Sequence, residues 1–289
     1  MKAILNLTLY TVRLLPESFI LILAKLLGTV LHLLHFRRMI ITENIKEVFP
    51  QMSHRDRKKF RKKVYRHFGL LIFEILRQAY YEPLQTAKKI DSTQLRDKLL
   101  PEIEKGRGVC ILTGHIGNWE LAGVTLAKFG IDNFTTVKEM KSGIGNYLLY
   151  RIRDKNGSVT VNRKNAMRAV IKQLREGKVV TFVLDQNMNR KEAIFADFFG
   201  KKAATMASLA TIVKKTGPVV IPGALFRNAD LKSFYFYLGD TIDFINAESP
   251  KTTILTNTEA YNHALEQMIL KHPEQWIWMH KRWRTRPIN

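Results

Sequence analysis

His115 and Glu120 stand five residues apart in Gly-His-Ile-Gly-Asn-Trp-Glu. A neutral imidazole takes a proton at one ring nitrogen when a carboxylate accepts a hydrogen bond from the other, fixes its tautomer and stabilises the imidazolium that forms. His115 is thus a candidate general base, with Glu120 as its assisting acid. No Ser or Cys lies close in sequence to act as nucleophile. The economical chemistry is activation of a hydroxyl that the substrate brings.

The elements around the pair are readable. Val109–Leu112 is a short apolar run bounded by glycines, as a buried strand would be. The chain then turns at Gly114, His115 and Gly117. Asn118 is a good helix N-cap before the periodic segment Trp119–Leu126. His115 is therefore expected where a strand ends, and Glu120 in the first turn of the next helix, where the helix dipole favours negative charge. Ligands of α/β sheets bind in the crevice at the strand C-termini. Asp185 and Gln186 also follow a buried run, Val179–Leu184, so the same crevice can receive them. They read equally as a polar wall positioning the substrate or the His115–Glu120 pair, and as turn residues. Arg163, after a strand ending at Val161, is a candidate for binding a phosphate or polarising a carbonyl, with Lys164 and Arg168 as rivals. Asn118 reads as a cap more than as a substrate contact, and Trp119 as packing or a pocket wall.

From Gly108 onward strands and helices alternate. Strands are expected at Phe134–Val137, Ser158–Val161, Val179–Leu184, Val219–Phe226 and Ser233–Leu238. Helices are expected near Gly145–Asp154, Ala166–Glu176, Thr205–Lys215, with Thr205 as its cap, and Thr256–Leu270. The pattern indicates an α/β fold with a mixed, largely parallel central sheet flanked by helices. A Gly-x-Gly-x-x-Gly after a strand and a P-loop are both absent, and His115 and Glu120 have no further ligands at metal-site spacing, so no cofactor or metal is expected.

The 289 residues carry a formal charge of +22, which calls for an anionic partner. The single cysteine, Cys110, falls inside a predicted buried strand and suits a reducing compartment. Leu14–Leu34 is mostly apolar but interrupted by Glu17, Lys25 and His32. It reads as a tilted spanning helix, an interfacial helix or a buried core helix. Basic residues follow it, from Arg37 and Arg38 to Arg55–Lys63, which puts the rest of the chain on the cytoplasmic side. Ser53 is positioned to cap a long helix through Tyr80, with a basic face suited to anionic headgroups. Trp276, Trp278 and Trp283 mix with His280, Lys281, Arg282, Arg284 and Arg286. That mixture fits a membrane interface, single-stranded nucleic acid, or tryptophans packed back onto the sheet. The apolar N-terminal stretch favours the membrane, and no nucleic acid is expected as partner.

Gly-His-Ile-Gly-Asn-Trp-Glu resembles the His-x4-Asp/Glu signature of glycerolipid acyltransferases, specifically the late (lauroyl/myristoyl) acyltransferases of lipid A biosynthesis, which carry Glu. Asn44–Pro50, Asp185-Gln186, Phe198-Phe199-Gly200 with Ala204-Thr205, and His272 through Trp283 resemble further motifs of that family in order. The resemblance implies an enzyme of the inner membrane with its catalytic domain facing the cytoplasm, an N-terminal membrane-associating segment at 1–38 and a catalytic domain at 39–289. It implies transfer of a fatty acyl chain from a thioester, with acidic acyl carrier protein as donor, to a hydroxyl of a lipid A precursor or related glycolipid. Acyl-CoA as donor, another phospholipid or glycolipid acceptor, and thioester hydrolysis remain open. The non-enzyme alternative is a basic membrane- or nucleic-acid-binding protein.

Overall fold

The computed structural model describes residues 2–78, 89–131, 133–137, 143, 147, 159–162 and 166–288. Four helices come first: α1 (Lys2–Leu14), α2 (Glu17–Leu33), α3 (Arg38–Val48) and α4 (His54–Gln78). Pro16, which has no backbone N–H, separates α1 from α2. The apolar run Leu14–Leu34 is therefore not one helix. Among the described residues no single helix is long and apolar enough to cross a membrane. Only α2 and α3 taken together meet that test, and they are bent by 91°. This corrects the reading of Leu14–Leu34 as a single spanning helix. Ser53 Oγ accepts from the Asp56 N–H at 3.1 Å and so caps α4.

Among the described residues that follow, the strands form a seven-stranded sheet and a separate hairpin. The sheet strands are β1 (Ile90–Asp91), β2 (Val109–Thr113), β3 (Asn133–Val137), β4 (Val159–Asn162), β5 (Val179–Val183), β8 (Val219–Arg227) and β9 (Phe234–Leu238), in the order β1-β9-β8-β2-β5-β3-β4. Every pairing is parallel except β8 with β9. Central β2 is buried at every residue, as a parallel strand covered on both faces must be. The helices are α5 (Leu100–Glu104), α6 (Trp119–Lys128), α7 (Ala166–Arg175), α8 (Ser208–Thr216) and α9 (Pro250–Lys271). One core, including Ile45, Val64, Leu112, Phe182, Phe226 and Leu265, lies on one face of the sheet. A smaller one, including Leu99, Ile111, Leu121 and Phe236, lies on the other. Of the helix expected at Gly145–Asp154 only Tyr147 is among the described residues, and it is helical.

The hairpin of β6 (Ala193–Phe198) and β7 (Lys201–Met206) has no counterpart in the sequence reading. Phe199 and Gly200 form its turn. Thr205 lies within β7 and not at a helix cap, because α8 begins only at Ser208. The closing tryptophans are core residues, with Trp276, Trp278 and Trp283 at most 7 % exposed. The interfacial reading of those three rings is thereby corrected.

Candidate active site

Strands β2 and β5 run parallel and stay in register to the pair Thr113–Val183. The two chains leave the sheet side by side, and two residues later each presents a functional side chain. His115 Nδ1 lies 2.8 Å from Asp185 Oδ1. The backbone N–H of His115 donates to Asp185 Oδ2 at 2.7 Å. The Trp276 indole N–H donates to the same oxygen at 3.0 Å. Burial raises the Asp185 pKa, but the charge of His115 and hydrogen bonds from its ring, its backbone and Trp276 outweigh it and hold the carboxyl at about 2. Asp185 is thus an anion at neutral pH. An anionic acceptor on Nδ1 requires that nitrogen to carry the proton. Nε2 is left with its lone pair, and the Gln186 side-chain nitrogen stands 3.1 Å from it. The His115 side chain is 23 % exposed, whereas that of Asp185 is fully buried.

The turn that carries His115 is held by backbone contacts. Gly117 adopts φ 61°, and a Cβ there would lie 2.0 Å from the Leu225 carbonyl oxygen. Only glycine permits that approach. Gly117 N–H donates to Gln275 O at 2.9 Å, Asn118 N–H to Leu225 O at 2.9 Å, and Ile277 N–H to His115 O at 3.0 Å. At Gly114 a Cβ would come within 3.0 Å of the Asp185 carboxyl carbon. The missing side chain there gives the acid its place beneath the turn.

Glu120 lies where the sequence put it, in the first turn of α6, and is 9 % exposed. It lines a mainly apolar cleft between α6 and the sheet, with Thr113, Asn133, Thr181 and Leu225 among the walls. The hydrogen bond to His115 Nδ1 that the sequence reading assigned to Glu120 is made by Asp185. The physical reason is topological: adjacent parallel strands bring residues 70 apart to one point. Asn118 is fully buried. Its Oδ1 accepts from Leu121 N–H at 3.0 Å, and its Nδ2 donates to Glu74 at 2.9 Å. It caps α6, and its polar atoms face protein and not an open substrate site. Arg163 lies outside the described residues.

Two features escaped the sequence reading. One is the Trp276 donor, whose signal is a place in a cluster of three tryptophans, Trp276, Trp278 and Trp283. The other is a buried polar cluster under the site. Arg227 pairs with Glu74, and its Nη1 lies 2.8 Å from His67 Nδ1. Gln275 bonds both the N–H and the C=O of Arg227.

The model of the family described as bacterial lipid A biosynthesis acyltransferase matches residues 2–285. The chain belongs to that family. It is 24% identical over 254 residues to the lipid A biosynthesis palmitoleoyltransferase of Escherichia coli (strain K12), a match spanning 87% of this chain and 80% of the relative. It is 23% identical over 265 residues to the lauroyltransferase of lipid A biosynthesis of the same organism, again spanning 87% and 80%. A more distant relative is the phosphatidylinositol mannoside acyltransferase of Mycolicibacterium smegmatis (strain ATCC 700084 / mc(2)155), 23% identical over 192 residues that span 65% of this chain and 60% of the relative. As a member of the lipid A acyltransferase family, the chain holds its His-x4-Glu motif at the mouth of a mixed sheet, with Asp185 on the histidine.

Proposed function

We propose that the protein transfers a fatty acyl chain from an acyl thioester to a hydroxyl of a lipid A precursor or a closely related glycolipid. The observation that carries this reading is the buried His115–Asp185 contact, with Nε2 of the partly exposed imidazole beside the Gln186 amide. The acceptor hydroxyl gives its proton to Nε2 as its oxygen attacks the thioester carbonyl. Asp185 keeps the proton of Nδ1 in place and stabilises the imidazolium. The Gln186 amide, displaced from Nε2 by the hydroxyl, supplies an N–H beside the oxyanion. The C–S bond then breaks, and the thiolate leaves with the proton returned from Nε2. Glu120 acts from the cleft wall, where it positions the substrate.

The donor in this reading is acyl carrier protein. That partner is very acidic, and a formal charge of +22 favours it over a neutral one. The enzyme works on the cytoplasmic face of the inner membrane, attached by α2. Phe19, Ile22, Leu26, Val30 and Leu33 form an exposed stripe at helical spacing on α2, and Leu34, Phe36 and Met39 continue it. Lys25, Lys62 and Arg66 line a groove that includes Gly28 and Thr29 of α2, and their charge suits lipid phosphates. The test is an assay with a labelled acyl thioester and a lipid A precursor in detergent. Wild-type protein forms labelled lipid, and His115→Ala, correctly folded, forms none. An active His115→Ala variant would falsify the mechanism.

A further inference from the structure

We propose that Trp276 is a positioning residue for the His115–Asp185 pair, delivered by a segment that straps both loops of the site. The claim rests on the reading of His115 as general base.

The carboxylate of Asp185 is completely buried and receives three donors. Oδ1 takes the His115 ring N–H at 2.8 Å, and Oδ2 takes the His115 backbone N–H at 2.7 Å and the Trp276 indole at 3.0 Å. With both oxygens occupied, the carboxylate plane cannot turn without giving up a bond in a place that water does not reach. Two of the donors belong to the residue being positioned. Trp276 is the donor that comes from elsewhere, so it sets the carboxylate plane independently of His115.

The indole is itself held. Trp276 is 1 % exposed and packs with ring centroids 4.9 Å from Trp278 and 6.0 Å from Phe198. Its neighbours in sequence bind the two loops directly. On the His115 side, Gln275 O accepts from Gly117 N–H, and Ile277 N–H donates to His115 O. On the Asp185 side, Asn187 N–H donates to His280 Nε2 at 2.8 Å, Arg282 Nη1 to Gln186 O at 3.4 Å, and Thr285 N–H to Asn187 Oδ1 at 2.9 Å. Sheet pairing between β2 and β5 ends at Thr113 and Val183. Beyond that point residues 275–285 hold the two loops together.

Trp276→Phe removes the N–H and keeps an aromatic ring. Trp278→Phe is the matched control. Trp278 is just as buried and lies in the same ring cluster, but its indole donates to Pro273 O at 2.6 Å. The expected result is a loss of kcat of about 10- to 100-fold in Trp276→Phe with KM within about twofold, and near wild-type kcat in Trp278→Phe at similar thermal stability. A second readout needs no substrate. An NMR titration of the His115 ring follows its pKa, which rises in Trp276→Phe because the carboxylate charge is less dispersed. An unmoved His115 titration, or an equal loss of kcat in the two variants, overturns the proposal. If the wild-type protein transfers no acyl group, the reading of function has failed, and the titration still decides the role of Trp276.

Discussion

The Arg227 guanidinium grips both oxygens of the Glu74 carboxylate, through Nε at 2.6 Å and Nη2 at 2.5 Å. Arg227 is 3 % exposed. Glu74 also accepts from Asn118, the cap of the helix that carries Glu120. Removing one partner leaves a buried charge without compensation, which costs about 3–5 kcal/mol. Glu74→Ala is therefore expected to lower the denaturant midpoint sharply. A double variant that replaces both residues by apolar ones of similar volume recovers most of that loss. Chemical denaturation in detergent measures both.

In the proposed mechanism Asp185 takes the hydrogen bond to His115 Nδ1 that sequence spacing assigns to Glu120. Asp185→Asn keeps the shape but takes away the anion that fixes the His115 tautomer. It is expected to lower kcat by roughly 10³- to 10⁴-fold and to shift the His115 titration downward. Glu120→Gln lowers activity without that displacement, since its carboxyl does not hold Nδ1. Paired kinetics and histidine NMR on the two variants distinguish the roles, and identical titrations would contradict them.

Acid sensitivity follows from His67. Complete burial, and then the neighbouring Arg227, hold this imidazole well below its ordinary 6.5. The unfolded chain binds a proton near pH 6.5 and the native chain does not, so stability is full above 6.5 and falls as pH drops below it. The slope approaches about 1.4 kcal/mol per pH unit for one such group. His280, also lowered chiefly by burial, adds to the same window. Asp185 contributes later, between its ordinary 3.8 and about 2. His67→Gln keeps an acceptor for Arg227 but takes up no proton. Its unfolding free energy between pH 6.5 and 5 is expected to be flatter than that of the wild type.

Membrane attachment through the α2 stripe predicts a specific failure. Ile22 and Leu26 are 60 % and 57 % exposed, so replacing them does not disturb the core. Burying one such side chain in lipid is worth about 1.5–3 kcal/mol. Ile22→Lys with Leu26→Lys is expected to lower binding to anionic vesicles by at least about tenfold, with melting temperature unchanged. Sedimentation with vesicles reads the first and thermal unfolding the second.

Much of this arrangement was legible in local sequence. The glycine-bounded run before His115, the Asn118 cap and the alternation after Gly108 are short-range signals, and β2, α6, β5 and β8 follow them closely. What local signals lack is partner choice. Asp185 was visible as a polar residue ending a strand, but the adjacency of β2 and β5 is a property of the sheet order. Pro16 was in plain view, yet the apolar composition around it outweighed its missing N–H. The tryptophans were read through their basic neighbours. Arg282 is itself fully buried, donating to Ala204 O at 2.9 Å and Thr205 Oγ1 at 2.6 Å. Charge in sequence was not exposure in space.

The strap formed by residues 275–285 also sets an order of events during synthesis. A ribosome reaches His115 and Asp185 long before Trp276. The nascent chain therefore carries His115 and Asp185 while the clasp between them is still untranslated. On the proposed mechanism, a chain that stalls before residue 275 lacks the Trp276 donor on Asp185, and its activity is expected to fall.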